Sequence, residues 1–124
     1  MVEHFTEGIV LRRTHRGEHD GNIILYTKDF GKISTFAKSI RKTTSKISGH
    51  MIPGNIVRTR IVEKNNIQAV DALCDKSTCD PRELVQFLHF LDAVIPYGEP
   101  DVPLWHAISA TLKKCNFAPD TYNK

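Results

Sequence analysis

The hydrophobic pattern of this 124-residue chain changes its period once, just after Leu73, and each side of that change permits only one kind of element. Before it, apolar residues come in short β-branched runs separated by Gly, Asn and Asp clusters, the signature of strands and tight turns. After it, they recur three and four residues apart, as on one face of a helix. The first run is Gly8 to Arg13, followed by the turn cluster Gly17-Glu18-His19-Asp20-Gly21 and a second run, Asn22 to Thr27. Asp29-Phe30-Gly31 breaks the pattern, and in the third strand Ile33, Thr35 and Ala37 alternate with Lys32, Ser34, Phe36 and Lys38. With the smaller apolar set facing a core, the outer face would carry Lys, Ser, Phe and Lys in a row.

Residues Ser39 to His50 read as a polar linker with a short helical turn near Thr44-Ser45-Lys46. A fourth strand, Ile52 to Val62, is entered past Pro53-Gly54, which suggests an edge or a bulge there. The turn Lys64-Asn65-Asn66 leads to a fifth strand, Ile67 to Leu73. The expected class is therefore α+β, mainly β: a five-stranded antiparallel OB-fold barrel with a long connection between its third and fourth strands, an SH3-like barrel staying open as an alternative. A helical hairpin follows. Asp80 caps and Pro81 opens the first helix, whose stripe of Leu84, Leu88, Leu91 and Ile95 is widened by Phe87, Phe90 and Val94 until Pro96 and Gly98 end it. Asp101 starts the second, which carries Leu104, Trp105, Ile108 and Leu112 to Lys113-Lys114 and stops at Asn116 to Pro119. The domain division is 1–76 for the barrel and 77–124 for the helices.

Charge follows the same line. Residues 1–70 hold 12 Lys+Arg and 6 Asp+Glu, net +6, and residues 71–124 hold 5 and 8, net −3, which together make the overall +3. Between Asp29 and Glu63 stand seven cations, Lys32, Lys38, Arg41, Lys42, Lys46, Arg58 and Arg60, and no carboxylate. A field this one-sided favours a polyanion, of which a phosphate backbone is the commonest. A lysine-rich solvated face is the plain alternative. Phe36 among lysines fits single-stranded nucleic acid, whose bases stack on rings while ammonium groups meet phosphates; burial of Phe36 beneath the loop or the helices is the competing reading.

No Gly-rich phosphate loop, nucleophile elbow or metalloprotease motif occurs, and the six His are scattered without a spacing that suggests a metal site or a triad. Cys74, Cys79 and Cys115 are odd in number and scattered, which argues against a disulfide framework; Cys74 and Cys79 are separated by four residues but no second close pair follows, so a zinc site would have to recruit His89 or His106. The expectation is a non-enzymatic chain without cofactor or metal. With no apolar run near the roughly 20 residues of a membrane span and no cationic-then-apolar N-terminus, a cytoplasmic protein is expected.

Thr6 to Leu11, Gly17 to Asp20, Tyr26 to Ser34, Ala37 to Lys42 and Ser45-Lys46, continued by Glu83 to Asp92 and Gly98 to Leu112, resemble the N-terminal part of the RecO family of bacterial recombination mediators. The resemblance implies an OB-fold followed by a helical domain, binding of single- and double-stranded DNA, strand annealing, and recombinase loading together with RecR and single-stranded-DNA-binding protein. It also places Lys38, Arg41, Lys42 and Lys46 in a basic loop, with Lys32 in the strand before it. The family usually has Gly where Ser39 stands, and a left-handed backbone there would strain a Ser. The family's zinc module has no counterpart before Lys124. The expected DNA-binding set is thus Lys32, Phe36, Lys38, Arg41, Lys42, Lys46, Arg58 and Arg60. A protein-interaction adaptor and an RNA-binding OB module are the alternatives.

Overall fold

The computed structural model describes residues 2–42, 45–76 and 81–122, with side chains described over 2–42, 45–74 and 84–112. Five strands, β1 (Val2–Arg16), β2 (Asp20–Thr27), β3 (Gly31–Ala37), β4 (Ile56–Glu63) and β5 (Ile67–Lys76), precede two helices, α1 (Pro81–Val94) and α2 (Val102–Tyr122). The strands are joined in the closed order β1-β2-β3-β5-β4. β1 is long enough to serve two neighbours: Val2 to Ile9 pair with Glu63 to Ile56 of β4, and Gly8 to Arg16 pair with Thr27 to Asp20 of β2. A register shift between Val10 and Arg12 leaves Leu11 as the extra residue of a bulge, which bends the strand from one neighbour to the other.

The sheet is mixed, which corrects the expectation of an antiparallel barrel. β3 and β5 meet in parallel, with Phe36 opposite Gln68. The reason is arithmetic: a ring with an odd number of strands cannot alternate direction all the way round, so one neighbouring pair must run the same way. Strand limits also shift. β4 begins at Ile56 because residues 53–54 form a turn, in which Gly54 has φ +94° and donates its N–H to Val10 O.

The two apolar runs of β1 and β2 are apolar on both parities because both of their faces are buried. Val10, Ile23 and Leu25 point inward with Ile33, Ala37, Val57, Ile61 and Ala69. Ile9, Leu11, Ile24, Tyr26 and Ile56 point outward and form a second core with Leu84, Leu88, Leu91 and Ile95 of α1 and its end and Trp105, Ile108 and Leu112 of α2. The apolar stripe of the helices is thus absorbed in part by the outer face of the barrel, with Phe87 half-buried, while Phe90, Val94 and Leu104 stay exposed. The polar linker is polar only in part: Ile40 and Met51 are fully buried in the inner core, fastening both ends of the connection to it.

The junction after α1 is built against β3. Gly98 donates its N–H to Lys32 O, Tyr97 bridges Lys32 in parallel, and Gly31, at φ +71°, leaves room for the Glu99 backbone, which a Cβ would meet at 2.6 Å. As expected, Asp101 caps α2: its Oδ1 accepts the N–H of Leu104 and its carbonyl that of Trp105. Tyr26 reaches the same cap by donating its hydroxyl to Asp101 O, and burial, then the Asp101 charge, push the phenol above its ordinary range. α2 continues past the expected stop to Tyr122.

Candidate nucleic-acid interface

The alternation read from β3 holds, but its outer face is not free along its whole length. The helices cover the Gly31 end, so Lys32, expected on an open face, is only 5% exposed. Its Nζ lies 2.8 Å from Asp92 Oδ1, donates to Asp92 O at 2.6 Å and to Ile95 O at 3.3 Å, and sits 4.4 Å from the Tyr97 ring centroid. Asp92 Oδ1 is buried without a well-directed hydrogen bond and is balanced by this charge, while Arg12 Nε holds Oδ2 at 3.0 Å. Burial pushes the Asp92 carboxyl up, but Lys32 and then Arg12 outweigh it and hold the group below its ordinary value of 3.8. α1 has no basic residue in its last turn, so Lys32 of β3 supplies the cation that complements the helix C-terminus. Lys32 is a clamp between sheet and helix, and its expected place among the DNA ligands is withdrawn.

The uncovered end of β3 leads into the basic loop. Ser39 adopts φ +60°, the left-handed conformation for which Gly is suited, and its N–H is fixed by Asp20 Oδ1 at 2.7 Å. The loop is tied to the β1–β2 hairpin tip: Arg41 donates its backbone N–H to His19 O and its guanidinium to Gly17 O. Half-buried Arg13 secures the far part by donating to Ser48 O, Ser48 Oγ and Met51 O. Burial and then the Arg41 charge lower the Arg13 guanidinium from its ordinary range, a sign that cations gather here. Lys38, Arg41, Lys42 and Lys46 are exposed, and Thr43 and Thr44 lie outside the described residues. Lys38 and Lys46 share a recess of about 410 Å³ with Ser39, Ser45, Ile47 and Gln68.

Phe36 is half-buried, and the guanidinium of Arg16 lies over its ring, 4.9 Å from the centroid. Arg58 and Arg60 are elsewhere, in a groove of about 460 Å³ on β1, β4 and β5 that shares no lining residue with the first. Lys28, Phe5 (72% exposed) and Leu73 line it too, and Arg60 is paired with Glu3 at 2.9 Å. The expected set is therefore divided: the loop residues and Phe36 come together around one end of β3, Arg58 and Arg60 do not join them, and Lys32 is internal. Arg16 was missed by reasoning on charge runs, because the β1–β2 hairpin, and not proximity in sequence, brings it to Phe36. The Arg12-Arg13 and Arg16 cations leading into the turn at Gly17 were the available signal.

Among the described residues no three His, Cys, Asp or Glu side chains gather closely enough to hold a metal ion. Cys74 is a free thiol there, and the side chains of Cys79 and Cys115 lie outside the described residues. No helix among the described residues is long and apolar enough to cross a membrane.

A closed five-stranded sheet, two helices packed on its outer face, and an exposed basic loop beside an aromatic define a small β-module with its exposed loop cations gathered at one end. Comparison with known proteins specifies it further. Residues 1–74 match the family described as "Recombination protein O N terminal", and the chain belongs to that family. It is 54% identical over 46 residues to the DNA repair protein RecO of Dehalococcoides mccartyi (strain ATCC BAA-2100 / JCM 16839 / KCTC 5957 / BAV1), covering 37% of this chain and 18% of that one. It is 28% identical over 119 residues to the RecO of Prosthecochloris aestuarii (88% and 45%), and 27% over 132 to that of Thermodesulfovibrio yellowstonii (98% and 53%). Even the more extended of these matches span only about half the relatives' length.

Proposed function

We propose that the chain is a non-catalytic DNA-binding module of recombinational repair, an OB-type barrel whose basic loop neutralises phosphates of single- and double-stranded DNA so that strands can approach and anneal. The observation that carries this reading is the exposed set Lys38, Arg41, Lys42 and Lys46 held on a buried anchor, Ile40, with the carboxylate at its base, Asp20, already engaged by the Ser39 N–H. The Ile40 anchor and the Arg41 bonds to His19 O and Gly17 O fix the start of the loop, from which exposed cations face solvent and a phosphate backbone. Family membership supports the same reading, and recombinase loading with RecR and single-stranded-DNA-binding protein is proposed on that ground alone, as is an intracellular place beside the nucleoid. The groove with exposed Phe5 and Leu73 favours a protein contact on β1, β4 and β5 as a second role rather than a rival one.

Titration with single-stranded DNA across a salt series tests the reading. Four to six neutralised phosphates give a log–log slope near −3 to −4 on single strands, at about 0.7 per phosphate. Affinity that does not change between low and moderate salt would overturn it.

A further inference from the structure

Resting on that DNA-binding reading, we infer that Arg16 is the surface on which an unstacked nucleobase is received, with the Phe36 ring as the support beneath it. Thr14, Asn22, Phe36 and Gln68 lie side by side across β1, β2, β3 and β5. Phe36 stands at the centre of this outward row, where a bare ring would itself stack a base. One face of the ring is taken, however, by Arg16 at 4.9 Å. Among the described residues the Arg16 guanidinium makes no hydrogen bond and no ion pair, and the Asp20 carboxylate, opposite it in the hairpin register, accepts the Ser39 N–H instead. An exposed guanidinium held only by a ring keeps its other flat face and its N–H edge for a ligand.

A guanidinium plane stacks on nucleobases as an aromatic does, and it is weakly hydrated, so covering it loses little. Asn22 and Gln68 flank Phe36 in the register; Gln68 Nε2 donates to Asn66 Oδ1 at 3.3 Å, which leaves the Gln68 oxygen and the Asn22 amide to meet base edges without favouring one sequence strongly. Gln68 also lines the recess that holds Lys38 and Lys46, so the base-receiving patch and the phosphate-binding recess are continuous. The ligand this arrangement fits is a single strand with at least one base turned out of its stack.

The test compares binding of a short oligothymidylate with an abasic phosphodiester strand of equal length, using the whole chain. Arg16→Lys keeps the charge and removes the plane. It should weaken oligothymidylate binding by about five- to a hundredfold, the range of one base stack, and leave abasic binding and the salt slope unchanged. Arg16→Trp restores a flat surface without charge and should recover oligothymidylate binding with the salt slope unchanged, since Arg16 meets a base and not a phosphate. Equal losses of Arg16→Lys on both strands, or no loss on either, would make Arg16 a phosphate contact or a bystander and overturn the inference. So would unfolding of Arg16→Lys, which would make Arg16 a structural clamp on Phe36. If the parent chain binds neither strand, the DNA-binding reading itself fails. If the parent binds, Lys38→Ala/Arg41→Ala/Lys42→Ala/Lys46→Ala does not, and Arg16→Lys behaves as the parent, only the inference falls.

Discussion

Lys32→Met should destabilise the fold by about 2–3 kcal/mol while leaving DNA affinity per folded molecule unchanged. The methionine keeps the buried aliphatic stem but removes an ammonium that meets Asp92 Oδ1 at 2.8 Å and the carbonyls of Asp92 and Ile95 at 2.6 and 3.3 Å. Breaking a buried pair by removing one partner costs about 3–5 kcal/mol, most of it from the charge left behind. Here that remainder is smaller, because Asp92 keeps Arg12 at 3.0 Å and its side chain is 20% exposed. Asp92→Ala has no such relief: Lys32, with 6% of its side chain exposed, would be left with two carbonyls and no carboxylate, so its cost should be larger, near 3–5 kcal/mol. In urea, with a slope of about 1–3 kcal/mol per molar, Lys32→Met should lower the midpoint by roughly 1–2 M. A double-mutant cycle should return a coupling of 1 kcal/mol or more, as expected for contacting residues (about 0.5–3 kcal/mol). A loss below about 0.5 kcal/mol, the behaviour of a surface lysine, or a loss of DNA affinity without loss of stability, would refute the clamp.

The same carboxylate gives a pH dependence of definite sign. Because the Asp92 value is lowered in the fold, its stabilisation is complete above the ordinary value of 3.8 and disappears as pH falls through the folded value. The deficit of Asp92→Asn in urea melts should therefore be largest near neutrality and shrink below about pH 4. Ser39→Gly should stabilise by about 1 kcal/mol, since the left-handed backbone costs a non-glycine residue about that much; a lower melting temperature would show that the Ser side chain contributes more. Gly31→Ala combines φ +71° with a 2.6 Å approach to the Glu99 backbone, so it should loosen the helix junction and lower the melting temperature sharply, whereas Gly17→Ala, with open space around it, should cost only its backbone strain. Replacing Lys38, Arg41, Lys42 and Lys46 together with Ala, Ile40 being kept, should leave the melting temperature nearly unchanged and reduce the salt slope on single strands by about 3 units.

What the sequence determined by itself is whatever depends on neighbours along the chain. Period-two alternation in β3 and the helix starts at Pro81 and Asp101 are local properties, each present in the folded molecule where the residues announced it, whereas the one-sided charge between Asp29 and Glu63 is divided there among an internal clamp, the basic loop and a separate groove. The left-handed backbone at Ser39 had no signal in its own neighbours along the chain, since Ser is not a residue that favours it. Only the tertiary structure decided which outward-facing residues are actually outside. Lys32 and Phe36 share one face of β3, but two helices cover one end of that face and leave the other, so one cation became an internal clamp and the ring beyond it stayed near solvent. The double apolar parity of Ile9 to Leu11 and Ile23 to Tyr26 signals two buried faces, though not what buries the second. The meeting of Arg16 with Phe36, and the parting of Arg58 and Arg60 from the loop, likewise follow from strand order around a closed ring. Charge density is additive along a sequence, whereas a site needs charges to be neighbours in space, and the closing of the sheet decides which of them are.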